Sequence, residues 1–190
     1  MKKLTLLFTM LFALTIWVGG AQAKNHQSME KESSKVLVAY FSATGTTAGV
    51  AEKLASVTGG ELYAIVPEKA YTSADLDWRN DKSRSSVEMK DPKVRPALKE
   101  AVKDLDGYDV VFIGYPIWWD AAPRVINTFI ESHDLKGKRL IPFATSGSSG
   151  IEESVKALRK SYPELKWSDG RLLNRASDAT IQEWIDELAL

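Results

Sequence analysis

The sequence predicts a doubly wound α/β domain, in which a five-stranded parallel sheet lies between two layers of helices. Three continuous apolar runs of strand length, at residues 36–41, 110–113 and 140–144, are typical of strands that are buried on both faces. Stretches with apolar residues at helical spacing separate these runs. This alternation of strands and helices indicates a parallel sheet with helices on both sides.

The remaining elements follow from the same two periodicities. Apolar residues three and four positions apart predict four helices, at residues 50–57, 94–105, 151–158 and 181–188. We expect a further helix over residues 123–132 and two weaker strands, over residues 61–66 and 166–172.

One long connection, residues 67–91, has no clear periodicity. Connections of this length are usually functional lids or disordered segments. Tyr71 and Trp78 favour a segment that packs against the domain, and a plain surface loop is the alternative.

The first 23 residues have the three parts of a secretory signal peptide. Lys2 and Lys3 precede an apolar run, and the segment ends in Ala21-Gln22-Ala23, with small residues at both recognition positions of a cleavage site. A membrane anchor is the alternative, but the run is shorter than the ~20 residues that a spanning helix needs. We therefore expect cleavage after Ala23, a flexible leader over residues 24–35 and a folded domain over residues 36–190.

The composition excludes several classes of function. The 190 residues include 25 basic and 25 acidic side chains, so the chain has no broad basic face for nucleic acid. Cleavage would remove Lys2 and Lys3 and leave the protein slightly acidic. Because cysteine is absent, disulfides, thiolate nucleophiles and iron–sulfur clusters are ruled out. Redox chemistry would therefore need an organic cofactor.

A loop rich in hydroxyl groups follows the first predicted strand. It consists of Ser42, Ala43, Thr44, Gly45, Thr46 and Thr47. Hydroxyls around a turn glycine at a helix N-terminus can bind a phosphate monoester without a metal. A helix cap would explain one or two of the hydroxyls, but not four. Neither a Walker A lysine nor a G-x-G-x-x-G motif is present, so the loop suits a single terminal phosphate.

Two further loops follow the third and fourth strands and should reach the same edge of the sheet. The first contains Pro116, Ile117, Trp118 and Trp119. Its rings can sandwich a planar heteroaromatic ligand, although paired tryptophans more often serve packing. The second contains Thr145, Ser146, Gly147, Ser148 and Gly150. Backbone amides there can approach the polar edge of a ring, and a capping turn is the alternative.

These three loops, in this order, resemble those of the flavodoxin-like family. The Ser-x-Thr-Gly-x-Thr sequence at residues 42–47 is similar to the family's FMN phosphate loop, and the other two loops stand where the family has its isoalloxazine loops. The resemblance covers residues 36–190. It implies a three-layer α/β/α domain with strand order 2-1-3-4-5 that binds FMN noncovalently, with Trp118 or Trp119 stacked on the ring.

Three functions are compatible with this resemblance. The first is an FMN electron carrier of the bacterial envelope, exported to the periplasm, that serves redox partner proteins or a small electron acceptor. The second is an NAD(P)H-dependent reductase of quinones or similar acceptors, with residues 67–91 in its substrate pocket. The third is an interaction module without FMN, and the presence of all three loops argues against it. The neutral charge differs from that of the acidic, cytosolic flavodoxins.

No residue has the pattern of a dedicated acid, base or nucleophile. Neither a G-x-S-x-G motif nor metal-ligand spacing is present. We expect His133 to be a surface histidine. From its position in the second loop, we expect Asp120 to lower the reduction potential of a bound flavin through its negative charge.

Overall fold

The structure, a computed structural model, describes residues 34–100 and 104–190. The predicted signal peptide and the leader up to residue 33 lie outside this range. In chain order, the elements are β1 (Val36–Tyr40), α1 (Thr46–Thr58), β2 (Glu61–Ala64), α2 (Arg84–Lys90), β3 (Val110–Pro116), α3 (Arg124–Glu131), β4 (Arg139–Thr145), α4 (Glu152–Ser161), β5 (Lys166–Trp167), β6 (Arg171–Leu172) and α5 (Asp178–Leu188).

The sheet confirms the predicted fold class and strand order. Its strands run β2-β1-β3-β4-β5, with β6 also paired to β4, and the strand pairings are parallel. β3 extends three residues beyond the predicted strand, to Pro116, so that Gly114 and Tyr115 are buried within the sheet. The order changes direction between β1 and β3, and the carboxyl ends of these strands are where doubly wound sheets bind ligands.

The predicted strand at residues 166–172 is split in two by a bulge. β5 pairs Lys166 with Arg139, whereas β6 pairs Arg171 with Phe143, so this side of the ladder contains one extra residue. Gly170 lies in the bulge, where a Cβ atom would be 2.8 Å from the Ile151 side chain and 3.0 Å from the Pro142 carbonyl oxygen. The close approach of the chain to β4 therefore requires glycine here.

Alternate residues of the strands build two apolar cores, one on each face. Val38, Phe112 and Phe143 pack with α1 and α5 on one face. Leu37 and Val111 pack with α3 and α4 on the other face. Because both faces are covered, the strands show continuous apolar runs rather than alternation. In the described part of the chain, no helix has the length and apolar character needed to cross a membrane.

The predicted helix at residues 94–105 was wrong, and a helix that was not predicted forms earlier in the chain. The chain is not helical over residues 94–100, because Pro96 interrupts the pattern and Leu98 forms an antiparallel bridge with Pro67. Instead, α2 forms inside the connection that lacked periodicity. Ser83 caps α2 by accepting a hydrogen bond from the Ser86 amide at 3.3 Å.

The prediction that His133 lies on the surface was also wrong. Its side chain folds back beneath the end of α3, where Nδ1 lies 2.7 Å from the Phe129 carbonyl oxygen, and the residue is only 8% exposed. The ring centroid is 4.3 Å from that of Phe129. Among the described residues, Nε2 has no hydrogen-bond partner. Burial therefore lowers the pKa of His133 below its ordinary value.

We expect His133 to make the fold acid-sensitive. Because its pKa is lower in the folded state, its contribution to stability is present above the unfolded-state pKa of about 6.5 and is lost as the pH falls through the folded-state pKa. Urea unfolding measures the free energy of unfolding at pH 7.5 and at pH 5. The decrease from pH 7.5 to pH 5 should be larger for the wild-type protein than for His133→Leu. Equal losses in the two proteins would contradict this expectation.

Candidate functional site

The three predicted loops meet at the carboxyl ends of β1, β3 and β4, around a groove made of two adjoining cavities. The tryptophan cavity, of about 470 Å³, is bounded by Thr44, Trp118, Trp119 and residues 146–149. The arginine cavity, of about 570 Å³, is bounded by Thr44, Thr46, Thr145, Asn174 and Arg175. The two cavities share Thr44, Pro116, Ile117, Trp118, Ser146 and Gly147. Volumes of this size are typical of cofactor sites.

The loop at residues 42–47, called the phosphate-type loop below, lies at the N-terminus of α1. Gly45 is the N-cap and has a φ angle of 88°, in the left-handed region that favours glycine. No side chain caps this helix end, and its first turn contains no acidic residue. Because first-turn amides have no intrahelical acceptor, they are free to donate to an anion, and the exposed Thr44 and Thr46 hydroxyls lie 3.4 Å apart beside them.

Thr47 and Thr145 serve to fasten this loop to β4. Both residues are buried, and their hydroxyl oxygens lie 2.9 Å apart in a mutual hydrogen bond. The Thr47 hydroxyl is therefore directed into the protein rather than into the groove. The pair fixes the spacing between the phosphate-type loop and the loop after β4.

We expect a double-mutant cycle to show strong coupling within this pair. Thr47→Val is nearly isosteric but leaves the Thr145 hydroxyl buried without its partner, at a cost of about 1–3 kcal/mol in the free energy of unfolding. Thr47→Val/Thr145→Val removes both polar groups and should cost less than the two single changes together. Urea unfolding of the four proteins measures the coupling, and strict additivity would contradict it.

The two tryptophans have different environments. Trp118 is half-buried and packs edge-on against Phe41 and Tyr71, with ring centroids 5.7 and 5.2 Å away. Trp119 is 49% exposed at the cavity mouth. Trp119 and Asp120 have φ angles of 46° and 57°, and reciprocal hydrogen bonds between Trp118 and Ala121 close the turn. Non-glycine residues in this conformation store strain, which is common at ligand sites.

Residues 67–98 form an ordered flap over the tryptophan cavity. The ends of the flap are held together by hydrogen bonds from Glu68 to Ala97 and from Lys99 to Val66, both 2.8 Å long. Arginines fix it to α3: Arg124 donates to the Met89 carbonyl at 2.9 Å, and Arg95 binds both carboxylate oxygens of Glu131 at 2.8 Å.

The flap contributes side chains to the site that sequence motifs did not identify: Leu76, Trp78 and Ser85 line the tryptophan cavity, and Trp78 is 65% exposed. Tyr71 joins the flap to Trp118, because its ring packs on Trp118 while its hydroxyl donates to the buried Glu88 carboxylate. Burial and this hydrogen bond raise the pKa of Tyr71 far above its ordinary value. Tyr71 is therefore neutral across the physiological pH range and acts as a fixed wall behind Trp118.

A fourth loop, after β6, reaches the groove and was missed from the sequence. Asn174 accepts a hydrogen bond from the Ser146 amide and donates one to the Ser146 carbonyl, both at 2.8 Å. These bonds hold Arg175 at the wall of the arginine cavity. The sequence rule that ligands bind at carboxyl ends of strands, applied to the fifth strand as well, would have pointed to this pair.

Most of the predicted site residues line the groove, namely Ala43, Thr44, Thr46, Pro116, Ile117, Trp118, Trp119, Thr145, Ser146, Gly147 and Ser148. Ser42 and Gly45 line a neighbouring cavity of about 270 Å³, on the β2 side of the loop. Gly150 lines none of these three cavities.

Together, the fold and the groove define a doubly wound α/β protein with its ligand site where the strand order reverses. A family model described as flavodoxin matches residues 35–188, and the chain belongs to the flavodoxin family. This membership supports FMN as the cofactor of the chain.

Solved structures agree with this assignment. A protein of Bacteroides eggerthii, provisionally described as a flavoprotein, is 63% identical, with a TM-score of 0.80 over 83% of this chain and 99% of its own. A Bacteroides uniformis protein with the same description is 56% identical, with a TM-score of 0.80 over 82% and 99%. A Lactobacillus acidophilus flavoprotein solved with FMN is 21% identical, with a TM-score of 0.62 over 80% and 99%, and shares the fold. No curated protein matches the chain.

Proposed function

We propose that this protein is an FMN-dependent electron carrier of the bacterial envelope. The observation that carries the proposal is the groove itself, in which an uncapped helix N-terminus with two exposed threonine hydroxyls lies next to a cavity walled by tryptophans. FMN combines a phosphate monoester with a planar aromatic ring. The phosphate matches the helix N-terminus with its hydroxyls, and the ring matches the cavity walled by tryptophans.

The donor chemistry of the residues fits FMN. Thr44, Thr46 and the first-turn amides of α1 would hold the phosphate, and Trp118 or Trp119 would contact the ring. Residues 146–149 surround the tryptophan cavity with main-chain groups and hydroxyls suited to the polar edge of the ring. When bound, FMN supplies the capacity to accept and release electrons, and the residues of the chain determine its orientation and exposure.

The residues at the mouth of the tryptophan cavity favour electron exchange with an outside partner. Trp78 and Trp119 are the most exposed aromatic walls of the cavity. In the part of the chain that the structure describes, none of the cavity walls contains a histidine, cysteine or lysine suited to acid–base catalysis. A carrier needs only a held cofactor with an accessible edge.

A titration with FMN tests the proposed cofactor site. The purified protein should quench the fluorescence of one equivalent of FMN, and Trp119→Ala should weaken the binding about 3- to 10-fold through loss of a ring contact. Trp167→Ala, a tryptophan change away from the groove, is the matched control. Absence of FMN binding in the wild-type protein would overturn the proposal.

A reductase that uses NAD(P)H is the second candidate. It is favoured by the flap, because Leu76, Trp78 and Ser85 enlarge the tryptophan cavity beyond the three loops and provide apolar room for a quinone-type acceptor. Repeated oxidation of NADPH in the presence of a soluble quinone would favour the reductase. An FMN-loaded protein that leaves NADPH unoxidised would favour the carrier.

We further propose that the carrier works outside the cytoplasm. The charged, apolar and Ala-x-Ala segments at residues 1–23 support export and cleavage after Ala23. N-terminal sequencing of the protein from the expressing bacterium should begin at Lys24. An Ala23→Lys change should leave the precursor uncleaved, and a wild-type protein that retains Met1 would contradict the proposal.

Asp120 is expected to lower the reduction potential of the bound flavin. It is exposed at the wall of the tryptophan cavity and would bring a negative charge towards the ring, which disfavours added electrons. Asp120→Asn should therefore raise the potential in redox titrations, whereas Asp134→Asn, beyond the end of α3, should not change it. An unchanged potential in Asp120→Asn would rule out this role.

A further inference from the structure

Arg175 is a positively charged residue of the groove that belongs to none of the three loops predicted from the sequence. It lies after β6 and lines the arginine cavity together with Thr44 and with Thr46, the first residue of α1. Among the described residues that line this cavity, Arg175 is the one charged side chain. The site is therefore positively charged, although the phosphate-type loop itself offers neutral donors.

The guanidinium group of Arg175 has its donors available. Within residues 34–100 and 104–190, no hydrogen bond or ion pair of this side chain is formed, and the side chain is exposed to the cavity. Other arginines of the domain are engaged: Arg84 binds Glu88 at 2.6 Å, and Arg95 binds Glu131 at 2.8 Å. The nearby carboxylate of Asp178 is 3.8 Å from Lys53.

The backbone on both sides of Arg175 is fixed. Asn174 makes two 2.8 Å hydrogen bonds with the main chain of Ser146, and the Lys53 ammonium donates to the Ala176 carbonyl at 3.0 Å. Arg175 itself has a φ angle of 52°, which is uncommon for a residue with a side chain. The contacts of Asn174 and Ala176, rather than the backbone preference of arginine, thus determine the position of Arg175.

A free guanidinium beside an uncapped helix N-terminus suits a phosphate dianion. Arginine donates two parallel hydrogen bonds to phosphate oxygens, and such charged bonds are stronger than those from hydroxyls or amides. Without an acidic residue in the first turn of α1, the site lacks a negative group that would compete for Arg175 from that side.

We propose that Arg175 is the residue by which this site selects a flavin with a terminal phosphate, FMN, over riboflavin. This inference rests on the proposed FMN site. Arg175 would hold the phosphate together with the Thr44 and Thr46 hydroxyls that line the same cavity, so its contribution is absent for a flavin without phosphate.

The test compares the affinities of the purified protein for FMN and for riboflavin by fluorescence quenching. Arg175→Asn removes the charge and keeps a residue that tolerates the left-handed backbone, and it should lower FMN affinity at least 10-fold while changing riboflavin affinity less than 2-fold. Arg175→Lys should lose less FMN affinity, because it keeps the charge without the paired donors. Lys136→Asn, an equal charge change at the opposite end of the sheet, should have no effect.

Salt provides a second readout that a merely structural role would not change. FMN affinity should fall with increasing NaCl in the wild-type protein, and this dependence should be weaker in Arg175→Asn. Equal losses of FMN and riboflavin affinity, or an unchanged FMN-to-riboflavin ratio, would overturn this inference while leaving the FMN site intact. Wild-type protein that binds no FMN would instead overturn the proposed function, and this inference with it.

Discussion

Replacement of Thr46 by aspartate is expected to lower FMN affinity roughly 100-fold or more, because it puts a carboxylate beside the proposed phosphate position. Thr46 is the first residue of α1, is exposed and lines the arginine cavity. The same change should stabilise the FMN-free protein by about 0.3–1 kcal/mol, since a negative charge at a helix N-terminus interacts favourably with the helix dipole. The two effects have opposite signs, which separates loss of binding from loss of folding.

Thr46→Asn is the matched control for this change. Asparagine has nearly the shape of aspartate without its charge, so its FMN affinity should stay within about 10-fold of the wild-type value. FMN fluorescence quenching and urea unfolding of the FMN-free proteins give the two quantities. If Thr46→Asp binds FMN as tightly as Thr46→Asn does, the phosphate does not lie at this helix end.

Replacement of Gly114 by alanine is expected to reduce the free energy of unfolding by about 3 kcal/mol. Gly114 is buried in β3 opposite Phe143 of β4, and a Cβ atom there would be 2.1 Å from the Phe143 ring. Phe143 is fully buried, so the ring has no free space to move into. The strain would also reach the loop after β3 that contains Trp118 and Trp119.

Gly49→Ala provides the control of opposite sign. Gly49 lies in α1 and a Cβ atom there would have nothing within 4 Å, so alanine should stabilise the helix by about 0.5–1 kcal/mol. Urea unfolding of both variants gives the comparison. If the free energy of unfolding of Gly114→Ala is within about 1 kcal/mol of the wild-type value, the packing of Phe143 against Gly114 does not limit stability.

The sequence was sufficient for the sheet because doubly buried strands leave an unmistakable apolar pattern. Prediction from the sequence failed where tertiary contacts, rather than the local apolar periodicity, determine the backbone conformation. Val94, Leu98 and Leu105 have helical spacing, yet Leu98 pairs with Pro67 and the chain is not helical over residues 94–100. The short helix α2 depends on its Ser83 cap and on Arg124 from α3 rather than on an apolar stripe.

The parts of the candidate site that lie in loops with a recognisable sequence motif could be predicted. Thr44, Thr46 and Trp119 were identified because each lies just after an apolar strand. Trp78 was singled out only as a packing residue of the 67–91 connection, which has no periodicity, and Arg175 was not singled out because it follows a strand divided by a bulge. Which tryptophan is packed and which is exposed depends on Phe41 and Tyr71, whose positions sequence spacing does not reveal.

The most direct test of the electron-carrier proposal is stepwise reduction of the FMN-loaded protein, followed by its absorbance, with and without NADPH. We predict that a chemical reductant reduces one bound FMN per chain in two separable one-electron stages, and that NADPH alone leaves the flavin oxidised. Rapid reduction by NADPH with many turnovers would contradict the carrier and establish the reductase. Failure of FMN to remain bound would contradict the cofactor site on which both depend.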